Sequence, residues 1–187
     1  MKIVALLGSP RAGGNSAAIA HRFMATAAGL GAQTRTIALN RLSYTGCQAC
    51  YACKTRLDRC ILRDDLTEVL AAVQEADAVL MATPVYCGDV TSQLKGFIDR
   101  TFSYLVPDFL TNPRPSRLAA GKKLVFVVTQ GNPDEEAFAD IFPRYGAILK
   151  RHGLADAQLL RSCGNGPASI DDVALARAEA MARAVVG

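Results

Sequence analysis

The chain has 187 residues, half of them hydrophobic, a net charge of +4, an isoelectric point near 8.8, six cysteines and no tryptophan. That length suits a single domain, residues 1–187, which can bury about 70% of its unfolded surface, and no apolar run reaches the ~20 residues of a membrane span. The scattered basic residues lack aromatic interleaving, which argues against nucleic acid as a partner, and the direct passage from Met1-Lys2 into an apolar run, with no cleavage site, makes a cytoplasmic protein the expectation.

Taken in order, Lys2 to Leu7 reads as a buried strand, and Ser16 to about Gly29 as a helix with Ile19, Phe23 and Met24 on one face. Gln33 to Leu39 is a second strand. Asn40 to Cys60 has neither period and holds four of the six cysteines. A helix begins near Asp64-Asp65, where Asp65 and Glu68 predict a capping box. Asp77 to Ala82 is a third strand, Thr83 to Thr91 a loop, and Ser92 to about Leu105 a helix burying Leu94, Phe97, Ile98 and Leu105. Pro107, Pro113 and Pro115 then forbid regular structure as far as Gly121, in a loop long enough for a lid, a subunit contact or a plain connector. Lys122 to Thr129 is a fourth strand, Asp134 to His152 a helix, Ala157 to Ser162 a fifth strand and Asp171 to Val185 the last helix. Five strands alternating with helices specify an α/β fold with a parallel sheet and right-handed crossovers.

Gly8-Ser9-Pro10-Arg11-Ala12-Gly13-Gly14-Asn15-Ser16 joins the first strand to the first helix. A glycine-rich turn leading into a helix N-terminus presents unpaired N–H groups and the positive end of the helix dipole to an anion. Gly14 stands where a P-loop has its lysine, and Ser9-Pro10 displaces the second glycine of the dinucleotide fingerprint, so neither a nucleoside triphosphate nor a dinucleotide pyrophosphate is indicated. A terminal monophosphate, held by Ser9, Arg11, Asn15 and Ser16, remains, beside the plainer reading as an ordinary β-to-α turn. In a five-stranded sheet ordered 2-1-3-4-5, the strand order reverses between strands one and three. Ligands of such sheets bind there. This loop, the segment Thr83 to Asp89 and the segment Thr129 to Asn132 all converge on that point.

GSPRAGGNS together with TPVYCGDVTSQLKGFIDR resembles the flavodoxin-like NAD(P)H-dependent FMN reductases, and the likeness in element order covers nearly the whole chain. The resemblance implies a flavodoxin-like three-layer sandwich and FMN as cofactor, with NAD(P)H as co-substrate. The phosphate would lie near Ser9, Arg11, Asn15 and Ser16, and the isoalloxazine ring near Pro84, Val85, Tyr86 and Gly88, with Gln130 and Gly131 approaching from the third loop. It also implies a homodimer or homotetramer with flavin pockets close to a subunit boundary.

Cys47, Cys50, Cys53 and Cys60 are spaced C-x2-C-x2-C-x6-C, which is similar to the compact motif of iron–sulfur flavoproteins. Three thiols at two-residue gaps can wrap a cubane corner and a fourth can complete a [4Fe–4S] ligand set. Zinc more often joins two separated C-x-x-C knuckles. A cluster, zinc, and free or disulfide-forming thiols are the three readings.

With flavin supplying the chemistry, no catalytic side chain is required. His21 and His152 read as surface or helix-capping residues, Cys87 as a buried inert thiol, and Cys163 as structural. Arg114, Arg117, Lys122 and Lys123 read as a solvated basic face, and Lys95, Asp99 and Arg100 as helix-face ion pairs. Two functions follow. One is an enzyme passing electrons from NAD(P)H through FMN to a quinone, nitro compound, metal or other small acceptor. The other is an iron–sulfur electron carrier with ferredoxin-type protein partners.

Overall fold

The computed structural model describes residues 1–187. Five parallel strands, β1 (Lys2–Leu7), β2 (Gln33–Ala38), β3 (Ala78–Pro84), β4 (Lys122–Gln130) and β5 (Leu154–Cys163), form one sheet in the order β2-β1-β3-β4-β5. The flavodoxin-like architecture expected from the sequence is therefore the observed one. The three central strands are buried at nearly every position because both of their faces are covered.

Alternation along the strands divides the interior into two cores. Ile3, Ala5, Leu80, Val125 and Val127 face α1 (Asn15–Gly29) and α6 (Asp172–Val186). Val4, Leu6, Met81, Leu124 and Phe126 face α3 (Leu66–Glu75), α4 (Ser92–Arg100) and α5 (Ile141–Arg151). The first helix pair meets through alanines, Ala17, Ala20 and Ala27 on α1 and Ala174, Ala178 and Ala182 on α6. The short α2 (Ala52–Thr55) interrupts the cysteine-bearing segment.

Several sequence expectations need correction. Asp65 and Glu68 make no capping box; Asp64 accepts from the Leu66 N–H at 3.1 Å, and the Asp65 carboxylate accepts from Ser43 N at 2.7 Å. The helix after β3 stops at Arg100 and tightens into a 3-10 turn, Thr101–Tyr104, although Leu105 is buried as expected. The helix before β5 starts at Ile141, since 131–136 are irregular and 137–140 form a turn that carries Phe138 at φ 64°. Three of the four residues expected on a solvated basic face are instead spent on carbonyl oxygens. Lys122 is buried and donates to Gln74 O at 2.7 Å and to Ala76 O, Lys123 donates to Val185 O at 2.8 Å, and Arg117 donates to Ser103 O, Leu105 O and Cys53 O. Lys95 and Asp99 do pair along the helix, at 2.6 Å.

Candidate functional site

At the carboxyl end of the sheet one cleft is lined by Ser9, Arg11, Gly14, Asn15 and Ser16 after β1, Pro84 to Tyr86 after β3, Thr129 to Gly131 after β4, and Asn165 to Ala168 after β5. Nine of the ten residues expected from the sequence line it. Gly88 does not; it sits on the far side of its turn, facing Phe138. The fourth wall, 165–168, was not anticipated. Its only signal was a turn-forming Asn-Gly-Pro between the last strand and helix.

The floor of the cleft is built for an anion. Helix α1 begins after Gly14 with no side-chain cap and no acidic residue in its first turn, so its first N–H groups are unspent. Ser16 Oγ is buried with no hydrogen-bond partner. Gly14 brings the backbone close, since a Cβ there would stand 3.0 Å from Ser9 Oγ. Arg11 is the one charged side chain on the lining, and its guanidinium has no carboxylate partner, only Tyr86 Oη at 3.4 Å. Ser9 Oγ donates to Arg11 O and accepts from Arg11 N, both at 3.1 Å, which holds the loop in a closed turn. Asn15 is committed elsewhere: its amide donates to Gly166 O at 2.9 Å and accepts from Ser169 N at 3.0 Å, fastening the fourth wall to the phosphate loop.

Thr91 locks the first two loops together. Its hydroxyl donates to Gly8 O at 2.8 Å and accepts from Leu94 N at 3.3 Å as the α4 cap, while its N–H donates to Thr83 Oγ1. Between them, Tyr86 and Asp89 exchange backbone hydrogen bonds around Cys87 (φ 49°) and Gly88 (φ 81°), the pattern of a type I′ turn. Cys87 is therefore exposed on a turn tip rather than buried. Asp89 ties that turn to α5 by accepting from Tyr145 Oη at 2.9 Å, and burial together with this bond pushes the Tyr145 phenol up to about 12. In the third loop the Gln130 side chain is internal, donating to Asn132 O and Asp134 O and accepting from Arg161. Gln130 and Arg161 thus position the loop, and Gly131 is left to face the cleft. Pro84, Val85 and Tyr86 supply the apolar side on which a flat ring can rest. These observations fit FMN: an anion cradle with an orphaned hydroxyl at one end and an aromatic and apolar wall at the other.

A second, smaller cavity contains all four expected cysteines, Cys47, Cys50, Cys53 and Cys60, together with Ile61, Leu62, Phe102 and Arg100. Cys53 is buried on α2, Cys60 is half-buried, and Cys47 and Cys50 are exposed. Ala49 and Tyr51 flank Cys50 at φ 50° and 56°. Two left-handed non-glycine residues on either side of one cysteine carry backbone strain of the kind found at ligand-binding loops. No group of three His, Cys, Asp or Glu side chains is gathered for a single metal ion. A cubane instead attaches its thiolates to separate irons, and four thiols on one mostly apolar wall are the donor set it needs.

Two cations, Lys54 and Arg100, stand beside this cavity. Lys54 Nζ donates to Phe102 O at 2.7 Å and Leu105 O at 2.8 Å, lies 3.4 Å from Cys53 Sγ, and sits over the Phe102 ring. Burial lowers its pKa, and Arg117 adds to the effect while Cys53 opposes it. Arg100 does not pair along its own helix; it is buried against Asp64 at 2.8 Å. His152 is likewise buried, 2.7 Å from Thr101 Oγ1, and burial with the nearby Lys54 and Arg151 charges lowers its pKa to about 4. His21 is exposed, and Cys163 is half-buried with its thiol pushed up by burial.

The family model described as NADPH-dependent FMN reductase matches residues 1–148. An iron–sulfur flavoprotein of Archaeoglobus fulgidus is 30% identical over 179 residues, covering 95% of this chain and 76% of that protein. Another, from Methanosarcina thermophila, is 36% identical over 101 residues, 54% of this chain and 52% of its own length. Among solved structures, an FMN-dependent NADH-azoreductase from Bacillus anthracis in complex with FMN superposes with a TM-score of 0.71 over 100% of both chains at 15% identity. At that identity the likeness shows the fold.

Proposed function

The chain belongs to the NADPH-dependent FMN reductase family, and from that premise we propose that it oxidises NAD(P)H through FMN held in the four-loop cleft and passes the electrons to an acceptor by way of the cysteine loop. The observation that carries this reading is the buried, partnerless Ser16 hydroxyl beside the uncapped N-terminus of α1, in a cleft whose one charge is Arg11. FMN, when bound, supplies the chemistry, accepting a hydride and releasing electrons together or singly.

The protein's own part is placement. The α1 N–H groups and Ser16 would hold the phosphate, and Arg11 would neutralise it. Tyr86, Val85 and Pro84 would support one side of the ring, with the backbone at Gly131 meeting its edge. Ser9, Asn15, Thr91, Gln130 and Arg161 fix the loops that carry those contacts. No acid and no histidine lines the cleft, so Arg11 meets the phosphate without a competing carboxylate.

Cys47, Cys50, Cys53 and Cys60 would hold a [4Fe–4S] cluster, which moves one electron at a time. The naming of the Archaeoglobus relative as an iron–sulfur flavoprotein, at 76% coverage of its length, favours that occupant over zinc. With Cys47 and Cys50 exposed, a second reading stands beside the first, in which the acceptor is a ferredoxin-type protein rather than a quinone, nitro compound or metal. Anaerobic purification followed by visible absorption and iron and zinc assay tests the cofactors. Stopped-flow mixing with NADH and NADPH tests the activity: bleaching of the flavin band is expected, and no bleaching with either nucleotide overturns the reductase reading. Sedimentation of the FMN-loaded protein tests the proposed homodimer or homotetramer.

A further inference from the structure

Arg100 is the last residue of α4, the helix whose first turn is capped by Thr91 at the flavin cleft. Nine residues at about 1.5 Å each place the two ends roughly 14 Å apart on one rigid rod. The Arg100 side chain is completely buried. Its guanidinium has five N–H donors. Nη1 donates to Thr45 O at 2.9 Å and Asp64 Oδ2 at 2.8 Å, and Nη2 to Asp64 Oδ1 at 3.2 Å and Leu62 O at 3.4 Å. The fifth, on Nε, has no partner.

A buried donor left unpaired costs about 1–3 kcal/mol, so its retention calls for a partner not yet supplied. Arg100 lies on the wall of the four-cysteine cavity, and Cys60 is the sulfur beside it. Carbonyl oxygens and Asp64 consume the donors on Nη1 and Nη2. We propose that Arg100 is a positioning residue for the iron–sulfur site, its Nε–H donating to the Cys60 sulfur of the bound cluster and raising the potential at which that cluster is reduced. This rests on the cluster reading above. The direction follows from charge: thiolate-bound clusters become more negative on reduction, and a hydrogen-bond donor or cation at a sulfur favours the reduced form. Asp64 faces Nη1 and Nη2, which leaves the Nε–H free to donate.

The test uses the full chain reconstituted anaerobically with iron and sulfide, grown with 15N-labelled arginine. Pulsed EPR of the reduced wild-type protein is expected to show coupling to an arginine nitrogen. Arg100→Lys keeps the charge but removes Nε, so it should lose that coupling and show a lower midpoint potential at unchanged iron content. Asp64→Asn leaves Nε in place and removes the opposing anion, so its potential should rise. Persistence of the coupling in R100K, its absence from the wild type, or an unchanged potential in both variants overturns the proposal. If R100K does not retain iron, the wild-type coupling and the D64N potential decide the matter. A wild-type protein that takes up no iron overturns the cluster reading itself, a separate result.

Discussion

Thr91 offers the sharpest check on how the cleft is assembled. One hydroxyl serves two loops, donating to the buried Gly8 carbonyl and accepting the Leu94 N–H at the start of α4. Thr91→Val preserves the shape and the β-branch but removes both bonds. Loss of the cap costs about 0.5–2 kcal/mol, and leaving the Gly8 carbonyl buried without a partner costs about 1–3 kcal/mol. Together these predict about 1.5–5 kcal/mol of lost stability. For a chain of this size, with a urea m-value near 2–3 kcal/mol/M, the midpoint should fall by roughly 0.5–2.5 M at unchanged m. Thr91→Ser keeps the hydroxyl and should lie within about 1 kcal/mol of the wild type. Because Gly8 begins the phosphate loop, FMN affinity, followed by quenching of flavin fluorescence, should weaken in T91V and hold in T91S. The reasoning is refuted if T91V unfolds at the wild-type urea concentration, or if T91S falls as far as T91V.

Other outcomes follow from individual contacts. Ser16→Ala removes an orphaned buried hydroxyl, so the apo protein should be as stable as wild type or slightly more so, while FMN binds about tenfold more weakly for the loss of one charge-assisted bond; equal FMN affinity would place the phosphate elsewhere. His152 is held neutral by burial, with a pKa near 4 against about 6.5 unfolded. The unfolded chain binds that proton first as pH falls, so its contribution is intact above pH 6.5 and is lost between 6.5 and 4, at up to about 1.4 kcal/mol per pH unit. In His152→Gln this part of the slope in a pH series of urea melts should vanish. Cys87 holds φ 49° on an exposed turn tip. Cys87→Asn, a residue at ease in that region, should raise stability by about 0.5–1 kcal/mol, and a loss in thermal melts would show that the thiol makes a contact of its own.

Local chemistry made much of this protein legible as a string of letters. Unbroken apolar runs marked the buried strands, β1 at both of its ends, and the alternation of strands with helices fixed a parallel sheet. The glycine and serine content of 8–16, without a P-loop lysine, pointed to a monophosphate, and the cysteine spacing placed four thiols on one loop. These are features of residue type and short spacing, which period and turn chemistry carry directly.

Contacts across long separations were not legible. Arg100 and Asp64 lie 36 residues apart, Asn15 and Gly166 lie 151 apart, and Lys122 reaches the carbonyl oxygens at the end of α3. In sequence Lys122 reads as solvated, Arg100 as part of a helix-face ion pair and Asn15 as a phosphate ligand, yet each satisfies backbone or carboxylate groups that only folding brings near. The same separation explains the short helix before β5 and the missing capping box at α3. There, tertiary partners claimed the residues that local rules assigned to the helix, Ser43 taking the Asp65 carboxylate. Composition and spacing determined what the two loops can hold; the packing of distant segments decided which of their donors remain free to hold it.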